Sequence, residues 1–217
     1  MKFSLCLLLL SALTAAAAPL ERDLGQGLAY CRVHRLPADL PGPANKKSRA
    51  VVLDLRFAAS DAAGVTALDA WLKFRASATS PVLLLVNRAT APALTAMLAD
   101  RESAAGLVAI GATADEFTPD IAVASAPEAE RTAYDALEHG TPVDALISDI
   151  PQKPRHDEAE LAQQHRTPAP GLDESDDPEP APTAQKPAPP PPVTDRALQR
   201  AVHLHRALLA LRKLPPG

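Results

Sequence analysis

Aromatic residues are scarce: four Phe, two Tyr and one Trp make up 3% of the 217 residues. Apolar residues still reach 47%, so that count rests on alanine and the aliphatic side chains, and the chain can fill only one core of modest size. Glycine is also rare, nine residues against 23 prolines. That excludes a collagen period, and Gly25 and Gly27 lack the third glycine of a phosphate-cradling loop and precede a strand pattern, so they read as a turn. There is no excess of positive charge; the formal charge is -4, which leaves no electrostatic footprint for nucleic acid. Cysteine is limited to Cys6 and Cys31. The first belongs to the leading apolar run, so Cys31 stands alone, without a disulfide partner, and its alternating surroundings make it a buried small hydrophobe.

What is present begins with order along the chain. Lys2, the apolar run Phe3 to Leu10 and the small residues through Ala18 have the three parts of a secretory signal, so residues 1–17 are expected to be removed and the protein exported to the periplasm or beyond the cell. The run is too short for a transmembrane anchor, which needs about 20 apolar residues. Residues 24–150 carry regular apolar periodicity. Residues 151–193 hold 12 prolines and, between Arg155 and Glu179, eight acids against two arginines; this composition predicts a disordered, partly polyproline linker. Residues 194–214 return to a helical pattern.

Within the first part, strand and helix patterns alternate. Strands are predicted at Gly27 to His34, Ala50 to Arg56, Pro81 to Val86, Leu107 to Ile110 and Ile121 to Val123; helices at Gly64 to Arg75, Ala91 to Arg101 and Glu128 to His139. Leu68, Trp71, Leu72 and Phe74 supply the apolar spacing of the first helix. Strands separated by single helices imply parallel pairing and right-handed crossovers, hence a layered α/β domain.

The order Gly27-Leu28-Ala29-Tyr30-Cys31-Arg32-Val33, Val51-Val52-Leu53-Asp54-Leu55-Arg56 and Val82 to Ala91 resembles the tail-specific (carboxyl-terminal processing) serine protease family. Leu107 to Gly111 with Thr113, and Pro119-Asp120-Ile121-Ala122-Val123, continue the likeness over residues 25–145. The resemblance implies a crotonase-like arrangement of strand and helix units. It also implies a serine at the N-terminus of the helix after the third strand, a lysine base, and backbone donors in a Gly-rich turn after Asp-Leu-Arg.

At each of those points the sequence departs. The nucleophile position falls on Thr90, followed by Ala91 and Pro92. The turn after Arg56 reads Phe57-Ala58-Ala59-Ser60-Asp61, without paired glycines. No lysine lies between Lys73 and Lys153, and only seven residues, Ala112 to Thr118, lie between Gly111 and Pro119, so the segment that carries the base in the family is missing. Thr90 without a base reads as an inactive position, and the chain as a degenerate, non-catalytic relative. The alternative is a divergent periplasmic serine-type peptidase or hydrolase.

Other residues give no reaction. His203 and His205 are two apart on a predicted helix and diverge by about 200°, unlike zinc ligands on one face; no metal and no cofactor is expected. Asp54 and Asp69, or Asp115 and Glu116, read as solvated charges, and His34, His139, His156 and His165 have no partner visible in sequence. In the last segment Thr194 and Asp195 begin a helix, and Ala197, Ala201, Leu204, Leu208 and Leu211 form one apolar stripe flanked by Arg196, Arg200, Arg206, Arg212 and Lys213. Leu204, Leu208 and Leu211 are therefore the candidate surface for a protein or peptide partner in the cell envelope. Weak contact with an anionic membrane surface is a further role such a helix allows, and packing back on the domain a third.

Overall fold

A computed structural model describes residues 20–42, 50–101, 105–114, 117–148 and 193–214. The signal at 1–17, nearly all of the linker at 151–193, and the residues Asp115, Glu116, His156 and His165 lie outside the described residues. Six strands form one sheet in chain order: β1 (Leu20–Asp23), β2 (Leu28–Arg32), β3 (Ala50–Asp54), β4 (Val82–Val86), β5 (Leu107–Gly111) and β6 (Ile121–Ala122). β1 runs antiparallel to β2, and every later pairing is parallel, with Val52 opposite Leu83 and Leu84 opposite Ala109. β3 and β4 are buried along their whole length. Their unbroken aliphatic runs, Ala-Val-Val-Leu and Val-Leu-Leu-Leu-Val, suit strands covered on both faces.

Helices cover both faces, so the domain has three layers. α1 (Ala62–Arg75) and α2 (Pro92–Ala99) connect β3 to β4 and β4 to β5. Asp61 caps α1 by accepting the Gly64 N–H at 2.7 Å, and Pro92 starts α2, where a missing N–H costs nothing. Leu68, Leu72, Leu94 and Leu98 from these helices meet Val33, Leu53, Leu55, Leu84 and Val86. The opposite face carries Leu28, Tyr30, Val52, Leu83, Leu85 and Ile110. It is covered by α3 (Pro127–Glu138), α4 (Val143–Leu146) and α5 (Arg196–Ala210) through Leu137, Leu146, Leu198, Ala201 and Val202.

The layered α/β architecture with parallel strands is as the patterning implies, with boundaries displaced by a residue or two. Two elements have no counterpart in it. β1 is short, with three of its four residues charged and exposed, so it carries no alternation to read; α4 is a single turn. Phe74, expected on the apolar face of α1, is 80% exposed, because the buried face runs through Gly64, Leu68 and Leu72. Trp71 is half-buried and donates its indole N–H to the Pro41 carbonyl at 2.9 Å.

The C-terminal helix packs back on the domain, one of the roles its pattern allows, and Ala197 and Ala201 of its apolar stripe are buried. It is docked on the sheet, and its buried face is Ala197, Leu198, Ala201, Val202 and His205. This face is rotated from the stripe through Leu204, Leu208 and Leu211. Leu204 packs partly on the sheet cluster, Leu208 is half-buried, and Leu211 is 68% exposed. The rotation is set at the first turn of α5, by an ion pair that no apolar pattern reveals.

A cleft at the carboxyl edge of the sheet

Side chains alternate along a strand, so Val52, Asp54 and Arg56 share the α5 side of the sheet with Tyr30 and Arg32 on the next strand. That face is aliphatic until its carboxyl end, where the polar residues gather. Arg56 has no exposed surface. It donates Nε and Nη2 to the two oxygens of Asp54 at 2.9 and 2.7 Å, and Nη1 and Nη2 to the two oxygens of Asp195 at 3.0 and 2.8 Å. Both acids are also buried. Glu130 of α3 lies 3.8 Å from the same guanidinium. Unpaired, each buried charge would cost several kcal/mol, so the doubled bidentate geometry is what makes the cluster tolerable. Burial alone would lower the Arg56 pKa; Asp54 and Asp195 outweigh it and hold the pKa well above its ordinary value.

Asp195 has a second task. Its Oδ1 accepts the Leu198 N–H at 3.0 Å, capping α5, and its own N–H reaches the Leu146 carbonyl at 2.9 Å. The buried arginine thus fixes both the position and the rotation of the last helix. Asp54, expected to be a solvated strand-end charge, is instead the inner half of this clamp. Tyr30 donates to Asp54 Oδ2 at 2.7 Å and accepts from Arg32 Nε at 3.1 Å, and burial followed by the Asp54 charge raises its pKa far above normal. Arg32 continues to the Tyr134 carbonyl at 2.7 Å and lies over the Tyr134 ring at 3.7 Å. Phe57, in the turn after Arg56, has φ 63°, a conformation disfavoured for a bulky side chain. Its ring is held edge-on to Tyr134 at 4.9 Å and under Arg131 at 4.8 Å.

Thr90 is buried at the turn between β4 and α2. Its Oγ1 accepts the Asn87 N–H at 2.9 Å and lies 3.4 Å from both the Leu55 carbonyl and Asn87 Oδ1. Asn87 Oδ1 also accepts the Ala89 N–H at 3.0 Å. These bonds make Thr90 a fastener of its own turn. The expected partner surface, Leu204, Leu208 and Leu211, lies on α5 apart from this position, and the structure does not bring the two together.

Above the clamp, the loops that follow β3 to β6 enclose a cleft of about 580 Å³. Parallel α/β sheets place ligands at this edge, beyond the carboxyl ends of the strands. Phe57, Asn87, Ala112, Val123 and Glu130 line it, with Arg88 and Arg196 among the exposed residues of its walls. Glu130 is buried, and burial raises its pKa, opposed by Arg56 and by a hydrogen bond from Asn87. Among the described residues no group of His, Cys, Asp and Glu has the arrangement of a metal site. His205 is buried against the sheet, His34 lies edge-on to Tyr134, and Cys31 is buried. Burial, followed by the charges of Glu21, Asp39 and Asp54, pushes the Cys31 thiol up to about 12.

Compared with known proteins, the chain matches no family model and no curated protein sequence. Sequence reading missed Glu130, Tyr134 and Asp195 as members of one site. The available signal was Asp54-Leu55-Arg56, two opposite charges at alternate positions ending an otherwise aliphatic strand.

Proposed function

We propose that this protein is an exported, non-catalytic binding module whose ligand seat is the cleft at the carboxyl edge of the sheet, built on a degenerate tail-specific-protease-like, crotonase-like scaffold. The observation that carries this reading is the state of Thr90. The groups within hydrogen-bond reach of its hydroxyl are a backbone N–H, a backbone carbonyl and an amide oxygen, none of them a base. A hydroxyl without a base to take its proton is a poor nucleophile at neutral pH. The turn that would supply oxyanion donors is occupied by Phe57, and Arg56 faces away into the clamp. A concave site with polar groups and no activated nucleophile supports binding without turnover.

Two measurements test the proposal. Purified protein incubated with an unstructured protein substrate and with peptides of apolar C-terminus should release no product above blank, with Thr90→Ala indistinguishable from the parent. Turnover that disappears in Thr90→Ala would overturn the reading in favour of a hydrolase. Export is tested by fractionation and intact-mass measurement, with loss of the first 16 or 17 residues expected and an intact Met1 in the cytoplasm counting against it.

A further inference from the structure

Charges of both signs line the cleft. Arg88, in the turn after β4, donates Nε to the Thr113 carbonyl at 3.2 Å, and Arg196, the first residue of α5, donates Nη1 to the Ala124 carbonyl at 3.2 Å. Both side chains are exposed, and neither is within salt-bridge distance of a carboxylate among the described residues. A guanidinium has five N–H donors, so one bond to a carbonyl steadies each side chain and leaves most donors for an incoming acid. Glu130 is the counterpart. Arg56 gives its short contacts to Asp54 and Asp195, and Glu130, 3.8 Å away, is the clamp carboxyl that reaches the cleft. It also lines a small recess together with Ser125 and Arg196, so the acid and one arginine are neighbours.

This pairing discriminates between ligand classes. A simple anion drawn to the arginines meets the charge of Glu130, and a simple cation drawn to Glu130 meets two guanidiniums. A molecule with an amine and an acid a few atoms apart satisfies both. We propose that the cleft binds an α-amino-acid zwitterion, its ammonium on Glu130, its carboxylate on Arg88 and Arg196, and an apolar side chain against Phe57 and Val123. The same chemistry is offered by a free amino acid and by a short peptide with free ends. The inference rests on the cleft being a binding rather than a catalytic site.

Calorimetric titration of the full chain with L-leucine, N-acetyl-L-leucine, L-leucinamide and Leu-Leu tests it. L-leucine should bind saturably, and blocking either the amine or the acid should weaken binding at least tenfold, the scale of one lost charge-assisted hydrogen bond of about 1.5 to 3 kcal/mol. Glu130→Gln should bring L-leucine down to the level of N-acetyl-L-leucine, and the surface variant Arg196→Gln down to the level of L-leucinamide. Should Glu130→Gln not fold by circular dichroism, Arg196→Gln carries the test. Tighter binding of Leu-Leu supports the proposal with short peptides as the source, and tighter binding of L-leucine supports it with free amino acids. Equal binding of the blocked compounds, or no saturable binding of L-leucine or Leu-Leu to folded protein, overturns it. Recovering Leu-Leu intact keeps this result separate from the non-catalytic reading, because its Thr90-dependent hydrolysis would sink that reading while the leucine titrations still decide this one.

Discussion

Asp195→Ala is the sharpest test of how the fold is held. The substitution removes the acceptor of two Arg56 hydrogen bonds, at 3.0 and 2.8 Å, and the cap on the Leu198 N–H. Breaking one side of a buried ion pair costs about 3 to 5 kcal/mol, and losing an aspartate cap about 1 kcal/mol. The expected loss is therefore about 4 to 6 kcal/mol, against a typical total stability of about 5 to 15 kcal/mol. Asp195→Asn separates the two contributions, since asparagine caps a helix as well as aspartate and has a similar shape but lacks the charge. It should fall between the parent and Asp195→Ala. Urea unfolding followed by circular dichroism gives the magnitudes, and trypsin cleavage after Arg200 and Arg206 reports release of α5. If both variants unfold within about 1 kcal/mol of the parent, the scale of an ordinary surface effect, and α5 stays protected, the clamp does not hold the helix and the reasoning fails.

Further outcomes follow from other contacts. Gly111→Ala should prevent folding or cost more than about 3 kcal/mol, the range of severe backbone and packing defects, because a Cβ there would sit 1.7 Å from the Val86 carbonyl oxygen; soluble yield and urea midpoint check it. Cys31, with its thiol raised to about 12, should be alkylated by iodoacetamide at pH 8.5 at least about a hundredfold more slowly in native protein than in urea, since the reactive thiolate is suppressed. Glu130 gives a pH dependence of definite sign. Burial raises its folded pKa above the ordinary range of a glutamate, so the native state holds that proton more tightly, and this contribution to stability is present at low pH and lost as pH rises through the raised pKa. Glu130→Gln should flatten the decline in urea midpoint across that interval, and an unchanged slope would show that the carboxyl is not buried as described.

The sheet and most helices were legible because their residues obey simple periods: Ala50 to Leu53 and Val82 to Val86 are continuous aliphatic strands, and Leu68 with Leu72 gives the helical spacing of α1. The clamp was not, because its pairing depends on tertiary geometry. Asp54 and Arg56 are two apart, but Asp195 is 139 residues from Arg56, beyond the reach of any local pattern. The same separation explains the rotated face of α5. Apolar spacing offered Leu204, Leu208 and Leu211, whereas the fixed Asp195 turned Leu198 and Val202 inward. Phe57 was misleading in the opposite sense, since the absence of glycine in its turn did not prevent a left-handed residue there; the rings and guanidinium around it over-determine the conformation.

The long span between Arg56 and Asp195 also has a temporal meaning. A chain is made from its N-terminus, and contacts between distant segments close slowly. Until residues 193–214 are present, Leu83 and Leu85 lack the cover of Leu198 and Val202, and the buried arginine lacks one of its two bidentate acids. The clamp and the cover of this sheet face are therefore completed only by the segment that is made after all six strands, so the final packing of the α5 side is a late event in the life of the chain.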